Sequence, residues 1–349
     1  MLCFTTARRA VVKTRSVKLS RNIPMLQTIL SLLTARWSNI AVVLFMVLSS
    51  AGAAVAQTPS IENSMRQAGA SVELYRTTQD AAGDRVDLNA YIFYPADHEP
   101  EQERAAIVFF FGGGWRSGSP TQFVQHCKHL AGRGMVAVAA DYRVASRHQT
   151  QVADCVTDAK AAVGWLRKNA SKLGIDPSRI AAGGGSAGGH LAACTGVVPG
   201  FEAKTGPGEV SSRPDALVLF NPALALAEVD GREPFDAQRI EGLAARTGVA
   251  PVKLSPRHQL TGEAPPAIIF HGTADSTVPY WTAEVFRDEM RQAGNRCELI
   301  GYEGAGHGFF NYRNGQNEAY SSTLAKMDDF LVSLGFLEKA SDTESTPDR

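Results

Sequence analysis

The chain has 349 residues, 44% of them hydrophobic and 20% charged, a balance that argues against a disordered protein. Such a length suits one large α/β domain and is short for two. The 35 basic and 35 acidic side chains cancel, yet Arg8, Arg9, Lys13, Arg15, Lys18, Arg21 and Arg36 lie in residues 1–56, which hold no acidic residue. The rest of the chain is therefore net acidic, which argues against nucleic acid as a partner.

The basic N-terminal segment precedes the apolar run Ile40 to Leu48 and the small-residue stretch Ser49 to Ala56. Ala54-Val55-Ala56 fits cleavage of an export signal before Gln57, so residues 1–56 are expected to be a signal peptide. The basic region is long for a signal, which makes Met25 an alternative start. Residues 40–56 approach the ~17 needed to span a bilayer, so a retained anchor is the alternative, and only then is a membrane a partner. The expected location is periplasmic or secreted. No cysteine follows the apolar run, against a lipoprotein.

Residues 57–70 read as a polar leader, 71–338 as the main domain, and 339–349 as a disordered polar tail. Cys127, Cys155, Cys194 and Cys297 match no zinc spacing and sit among apolar residues, where free thiols pack as small hydrophobes. Disulfides, in one of three connectivities, are the alternative in an exported chain.

In chain order, Val72 to Tyr75 and Val86 to Tyr94 alternate like an antiparallel pair. Ala105 to Phe111 is continuously apolar, as in a strand buried on both faces. A helix is expected over 121–132, a strand over 135–142, and a helix over 152–173 with Val156, Ala159, Val163 and Leu166 on one face. Strand 179–183 feeds a helix beginning near Ser186. Strands 216–221, 267–271 and 296–302 follow, with helices 282–293 and 317–334. This alternation predicts an α/β fold, a mostly parallel doubly wound sheet with helices on both faces. Pro199 to Pro214 and Ala225 to Pro265 interrupt the rhythm and read as insertions over the sheet edge.

Ala181-Ala182-Gly183-Gly184-Gly185-Ser186-Ala187-Gly188-Gly189-His190 holds Gly-x-Ser-x-Gly between a strand and a helix. A serine in so sharp a turn projects its hydroxyl above the sheet, and only glycine-sized neighbours let strand and helix pass closely. The helix start offers N–H groups and a positive dipole end to a developing oxyanion. A phosphate cradle is the competing reading, but no Gly-Lys-Ser/Thr follows.

Phe109-Phe110-Phe111-Gly112-Gly113-Gly114-Trp115 ends the third strand. Its glycines can turn the N–H groups of Gly113 and Gly114 toward a substrate carbonyl, with Ala187 as a further donor. Asp275 follows strand 267–271, and His307 follows strand 296–302. The order Ser186, Asp275, His307 suits a triad in which His307 is the base and Asp275 fixes its tautomer. Glu303 is the alternative acid. Trp115, Tyr280 and Phe309 are candidate substrate contacts, with Trp115 alternatively an edge of the core.

Other polar residues have plainer readings. His190 and His271 are expected to be structural, Asp141 and Arg143 to anchor a strand end, and His126 with His129 to form a solvated helix face. No metal or organic cofactor is expected.

Gly112-Gly113-Gly114-Trp115, Asp141-Tyr142-Arg143, Gly184 to Gly189, Asp275 to Pro279 and Gly306-His307-Gly308-Phe309 stand in order over residues 86–335. In these the chain resembles α/β-hydrolase esterases akin to hormone-sensitive lipase and to bacterial acetyl, xylan and feruloyl esterases. The resemblance implies a serine carboxylic ester hydrolase acting through an acyl-enzyme on a small-molecule or carbohydrate ester. The family commonly has histidine before the glycine triplet, where this chain has Phe111, a departure that bears on the geometry of the loop. The sequence shows no large helical cap, which suggests a site suited to small acyl groups on bulky alcohols. Amide hydrolysis, as by a formamidase or peptidase, and a non-catalytic binding protein on the same scaffold are the competing functions.

Overall fold

The computed structural model describes residues 60–203, 210–312 and 317–339. The export segment, Met25, the anchor alternative and the tail beyond Lys339 lie outside them. Among the described residues no helix is long and apolar enough to cross a membrane.

A short helix comes first. Ser60 accepts the Asn63 N–H at 3.1 Å and so caps α1 (Ile61–Gln67), which buries Met65 in the core. The polar leader expected over 57–70 thus includes a packed helix; two apolar residues, Ile61 and Met65, among seven are too weak a periodicity to reveal it. The next elements are β1 (Ser71–Gln79), β2 (Arg85–Phe93), β3 (Arg104–Phe110), a 3-10 turn (Pro120–Phe123) and α2 (Val124–Gly132). β4 (Val136–Ala140), α3 (Ala145–His148), α4 (Val152–Lys168) and α5 (Ala170–Leu173) follow. The second half holds β5 (Ile175–Gly185), α6 (Ala187–Val197), β6 (Ala216–Phe220), α7 (Ala237–Thr247), a 3-10 turn (Pro251–Leu254) and α8 (Pro256–Gln259). It closes with β7 (Ala267–Gly272), α9 (Tyr280–Gln292), β8 (Cys297–Tyr302) and α10 (Glu318–Ser333).

The strands form one eight-stranded sheet in the order β1-β2-β4-β3-β5-β6-β7-β8. The β1–β2 and β2–β4 pairs are antiparallel and the remaining pairs are parallel. Every residue of β4, β6 and β7 is buried, as in strands covered on both faces, whereas β1 and β8 are partly exposed edges. From β3 the chain goes outward to β4 on one side, and from β5 to β6 on the other. The loops leaving these two neighbours therefore diverge, opening a crevice at the carboxyl end of the sheet.

Two expected elements differ in detail. The helix over 152–173 breaks at Asn169, whose side chain donates to Trp165 O at 2.8 Å and ends α4 before α5 begins. The insertion 225–265 contains α7, begun by Asp236 accepting the Arg239 N–H at 2.9 Å, and it buries Leu243 and Leu254. Cys127, Cys155, Cys194 and Cys297 are all unpaired and buried.

The solvated face expected for His126 and His129 is a correction. His129 is partly exposed and meets Asp328 at 2.9 Å, but His126 is fully buried among Phe109, Phe123, Phe220, Phe310 and Tyr320. Neither nitrogen of its ring has a hydrogen-bond partner. A three-residue spacing from His129 still leaves about 60° between the two side chains, enough to turn one inward.

Burial, aided by His129, pushes the His126 pKa from 6.5 down to about 3, and burial pushes that of His190 down to about 4. Both rings stay neutral in the fold while the unfolded chain takes up protons. Their stabilisation is complete above pH 6.5 and is lost as pH falls from there toward 3–4, at up to about 1.4 kcal/mol per pH unit per ring. His126→Phe should therefore raise the Tm and flatten its decline below pH 6.5, measured by calorimetry across pH. An unchanged acid slope would contradict this.

Candidate active site

Five strand ends build the site. Near their carboxyl ends the strands lie in register across the sheet, Phe110 beside Gly184, Gly185 beside Phe220, and Phe270 between Phe220 and Ile300. The loops that follow carry Gly112–Gly114, Ser186, Asn221, Asp275 and His307.

Ser186 has φ 54° and ψ −118°, a strained conformation for a residue with a side chain. Its N–H donates to Phe220 O at 2.8 Å, and its hydroxyl does not cap the helix that starts behind it. The turn is possible because α6 passes directly over β3: a Cβ on Gly188 would collide with Phe110 O. The ring of Phe310, buried and stacked on Phe220 at 4.9 Å, lies over Gly185.

Asp275 and His307, the candidate acid and base, are hydrogen-bonded to each other. Asp275 Oδ2 accepts from His307 Nδ1 at 2.7 Å and from Asn221 Nδ2 at 2.7 Å, while Oδ1 accepts the Thr277 and Val278 N–H groups at 2.8 and 3.0 Å. Burial alone would raise this carboxyl. The approach of the His271 ring, hydrogen bonds from His307 and Val278, and the charge of His307 outweigh burial and hold it well below its ordinary value of 3.8. It is a carboxylate at neutral pH. His307 Nδ1 accordingly carries a proton, and its Nε2, with the side chain 24% exposed, presents a lone pair.

No hydrogen bond joins the Ser186 hydroxyl to His307 in this structure. Catalytic hydrogen bonds are often long before substrate arrives. Glu303, the alternative acid, is exposed and makes no hydrogen bond or ion pair with His307.

The oxyanion loop lies against the serine, for a Cβ on Gly112 would sit 3.4 Å from Ser186 Cβ. Gly113 has φ 125° and Gly114 has φ 62°. The Gly113 carbonyl accepts from Arg116 and Ser117 N–H at 3.1 and 3.2 Å, and the Gly114 carbonyl accepts from Arg246 Nη1 of α7 at 3.1 Å. With the carbonyls tied back, the N–H groups of Gly113, Gly114 and Ala187 donate to nothing else among the described residues. Phe111, in the place of the usual histidine, stacks on Tyr142 at 4.1 Å, and the Tyr142 hydroxyl donates to Phe111 O at 2.8 Å. Asp141 and Arg143 anchor this strand end, through Arg147 and through Asp158 respectively.

Trp115, Tyr280 and Phe309 are packed into the supports of the site. Trp115 is 8% exposed and donates from Nε1 to His190 Nδ1 at 3.2 Å, His190 being held in turn to Leu254 O at 2.7 Å. The tryptophan expected at the substrate thus braces the oxyanion loop, because its polar atom is already paired. Tyr280 covers Gly301 and meets His271 edge-on at 5.6 Å, and Phe309 packs on Tyr302 at 4.5 Å; both keep partly exposed faces. His271 is buried as expected, yet it also approaches the acid, with Nε2 3.4 Å from Asp275 Oδ2 and 2.9 Å from Val278 O. Asn221 and Phe310 were not foreseen. Asn221 follows the apolar run 216–220 directly, at the same sheet edge as Ser186, and that position was its one signal. Among the described residues no three His, Cys, Asp or Glu side chains converge as a metal site.

Fold and site together define an α/β-hydrolase built around an elbow serine. Residues 91–290 match the BD-FAE family, and the chain belongs to it. Esterase LipC of Mycobacterium tuberculosis is 32% identical over 226 residues, 60% of this chain and 54% of the relative. The chain thus spans about half the length of that curated relative. Esterase 2 of Thermogutta terrifontis phosphoramylated by tabun is 52% identical, with a TM-score of 0.71 over 78% of this chain and 97% of that one. The propionate-bound form of the same esterase is 51% identical, with a TM-score of 0.72 over 80% and 98%.

Proposed function

We propose that the protein is a serine carboxylic ester hydrolase that favours short acyl groups. One observation carries the reading: the hydrogen-bonded Asp275–His307 pair, three uncommitted N–H groups and the strained Ser186 turn all stand on loops leaving the same end of adjacent strands. Ser186 Oγ attacks the ester carbonyl while His307 Nε2 takes its proton. The oxyanion that forms is held by the N–H groups of Gly113, Gly114 and Ala187. Collapse breaks the C–O bond, the leaving alcohol takes the proton from His307, and an acyl-Ser186 remains. Water, deprotonated by His307, then releases the acid and restores the serine.

Two comparisons support the reading: an organophosphate is trapped by an activated nucleophile, and the Thermogutta esterase is described both as modified by tabun and as propionate-bound. A small acid at a site of this build favours short acyl chains, and acetylated carbohydrates are the finer proposal for the alcohol side. On nitrophenyl esters kcat/KM should peak at two to four acyl carbons and fall for long chains. A maximum at long chains, or faster cleavage of an aryl formamide than of any ester, would reverse the assignment. Export is proposed on the N-terminal sequence alone; a mature protein beginning at Gln57 by mass spectrometry would support it, and retention of residues 1–56 would oppose it.

A further inference from the structure

The oxyanion loop has three consecutive glycines and so no side chains of its own to hold it. Phe111 before it can only stack. Its N-terminal hydrogen bond comes from elsewhere: Gln122, in the 3-10 turn Pro120–Phe123, accepts the Gly112 N–H on Oε1 at 2.6 Å. The other end of the same amide donates from Nε2 to Asn311 Oδ1 at 2.8 Å. Asn311 Nδ2 in turn donates to Gly308 O at 2.9 Å, next to His307. Asn317, which caps α10, holds this segment by donating to Phe309 O at 2.7 Å and Asn311 O at 3.1 Å.

We propose that Gln122 is a positioning residue that fixes the oxyanion loop relative to the loop bearing the catalytic base. The inference rests on the ester-hydrolase reading of the site. The bridge spans 189 residues of sequence and joins the two halves of the machinery through neutral amides, which do not titrate. It also fills the Gly112 N–H, leaving Gly113 and Gly114 as the loop's oxyanion donors. Every bond in the relay runs one way, N–H of Gly112 to Gln122, Gln122 to Asn311, Asn311 to Gly308. Neither amide can be turned over without opposing donor to donor or acceptor to acceptor. A misplacement of about 1 Å between donors and base is worth about 10²-fold in rate.

The test compares wild type, Gln122→Met, Asn311→Ala and the double variant on a short nitrophenyl ester, with the Tm of each. Methionine keeps the volume of Gln122 and removes both polar ends. The bridge predicts a kcat lower by about 10- to 100-fold with KM within about threefold, beyond anything the change in Tm accounts for at the assay temperature. It also predicts that the double variant is no worse than the poorer single, since both cut one connection. Losses that multiply, or a folded Gln122→Met with wild-type kcat, overturn the proposal. If Gln122→Met fails to fold, Asn311→Ala decides alone by the same kcat and KM criteria. Wild type and Ser186→Ala run alongside: an inactive wild type overturns the site reading and this inference together. An active wild type, a dead Ser186→Ala and unaffected bridge variants overturn this inference only.

Discussion

Ser186→Ala should lower kcat on a short ester by at least about 10³-fold while leaving Tm and KM close to wild type. The substitution removes one oxygen from a side chain that makes no hydrogen bond capping α6, so the fold loses little. The Cβ that strains φ 54° is common to both residues, and the turn is set by Gly184, Gly188 and the Ser186 N–H to Phe220 O bond, all of which remain. What is lost is the nucleophile of the proposed mechanism. Residual rate of about 10³–10⁴ over water is expected from oxyanion donors and binding alone. A loss of only a few-fold, measured on purified protein free of contaminating esterase, would remove Ser186 from the mechanism.

Asp275→Asn should be nearly as costly, lowering kcat by about 10⁴-fold. The carboxylate accepts four hydrogen bonds, two on each oxygen. An amide offers one acceptor oxygen. If that oxygen keeps the Thr277 and Val278 N–H groups, its NH₂ opposes the Asn221 amide and the Nδ1–H of His307. The imidazole then shifts its proton to Nε2, where the lone pair that takes the serine proton should be.

The same substitution changes stability in a defined direction. Because the folded Asp275 carboxyl lies below its ordinary value of 3.8, its stabilisation is present above that pH and is lost as pH falls through the folded value. Asp275→Asn should therefore lower Tm more at pH 7 than at acid pH. An equal Tm loss at both would mean that the charge of Asp275 contributes nothing to the fold.

Much of this was legible because the chemistry-bearing residues follow strong periodic signals. Ser186, Asp275 and His307 each stand just beyond an apolar strand, and parallel strands deliver such positions to one edge. The insertion 225–265 hid α7 because Leu243 and Thr247 alone of that helix are buried and one of them is polar, so its apolar face is too narrow to read. Arg246 on that helix, which ties back the Gly114 carbonyl, was hidden with it. Asn221, Gln122 and Asn311 are single amides, each with a side-chain partner 54 or 189 residues away, a pairing that no local pattern encodes. His126 was misplaced for a related reason: a histidine looks polar in sequence, and only the five aromatic rings around it show that its nitrogens go unpaired.

The central claim, that Ser186 is an activated nucleophile, is tested most directly by a stoichiometric label. Incubation with an organophosphonate ester should add one phosphonyl group per chain, with peptide mapping placing it on Ser186. Ser186→Ala should take up none, and His307→Ala should react far more slowly. Label found on another residue, or ester hydrolysis that persists in fully Ser186-phosphonylated protein, would contradict the account.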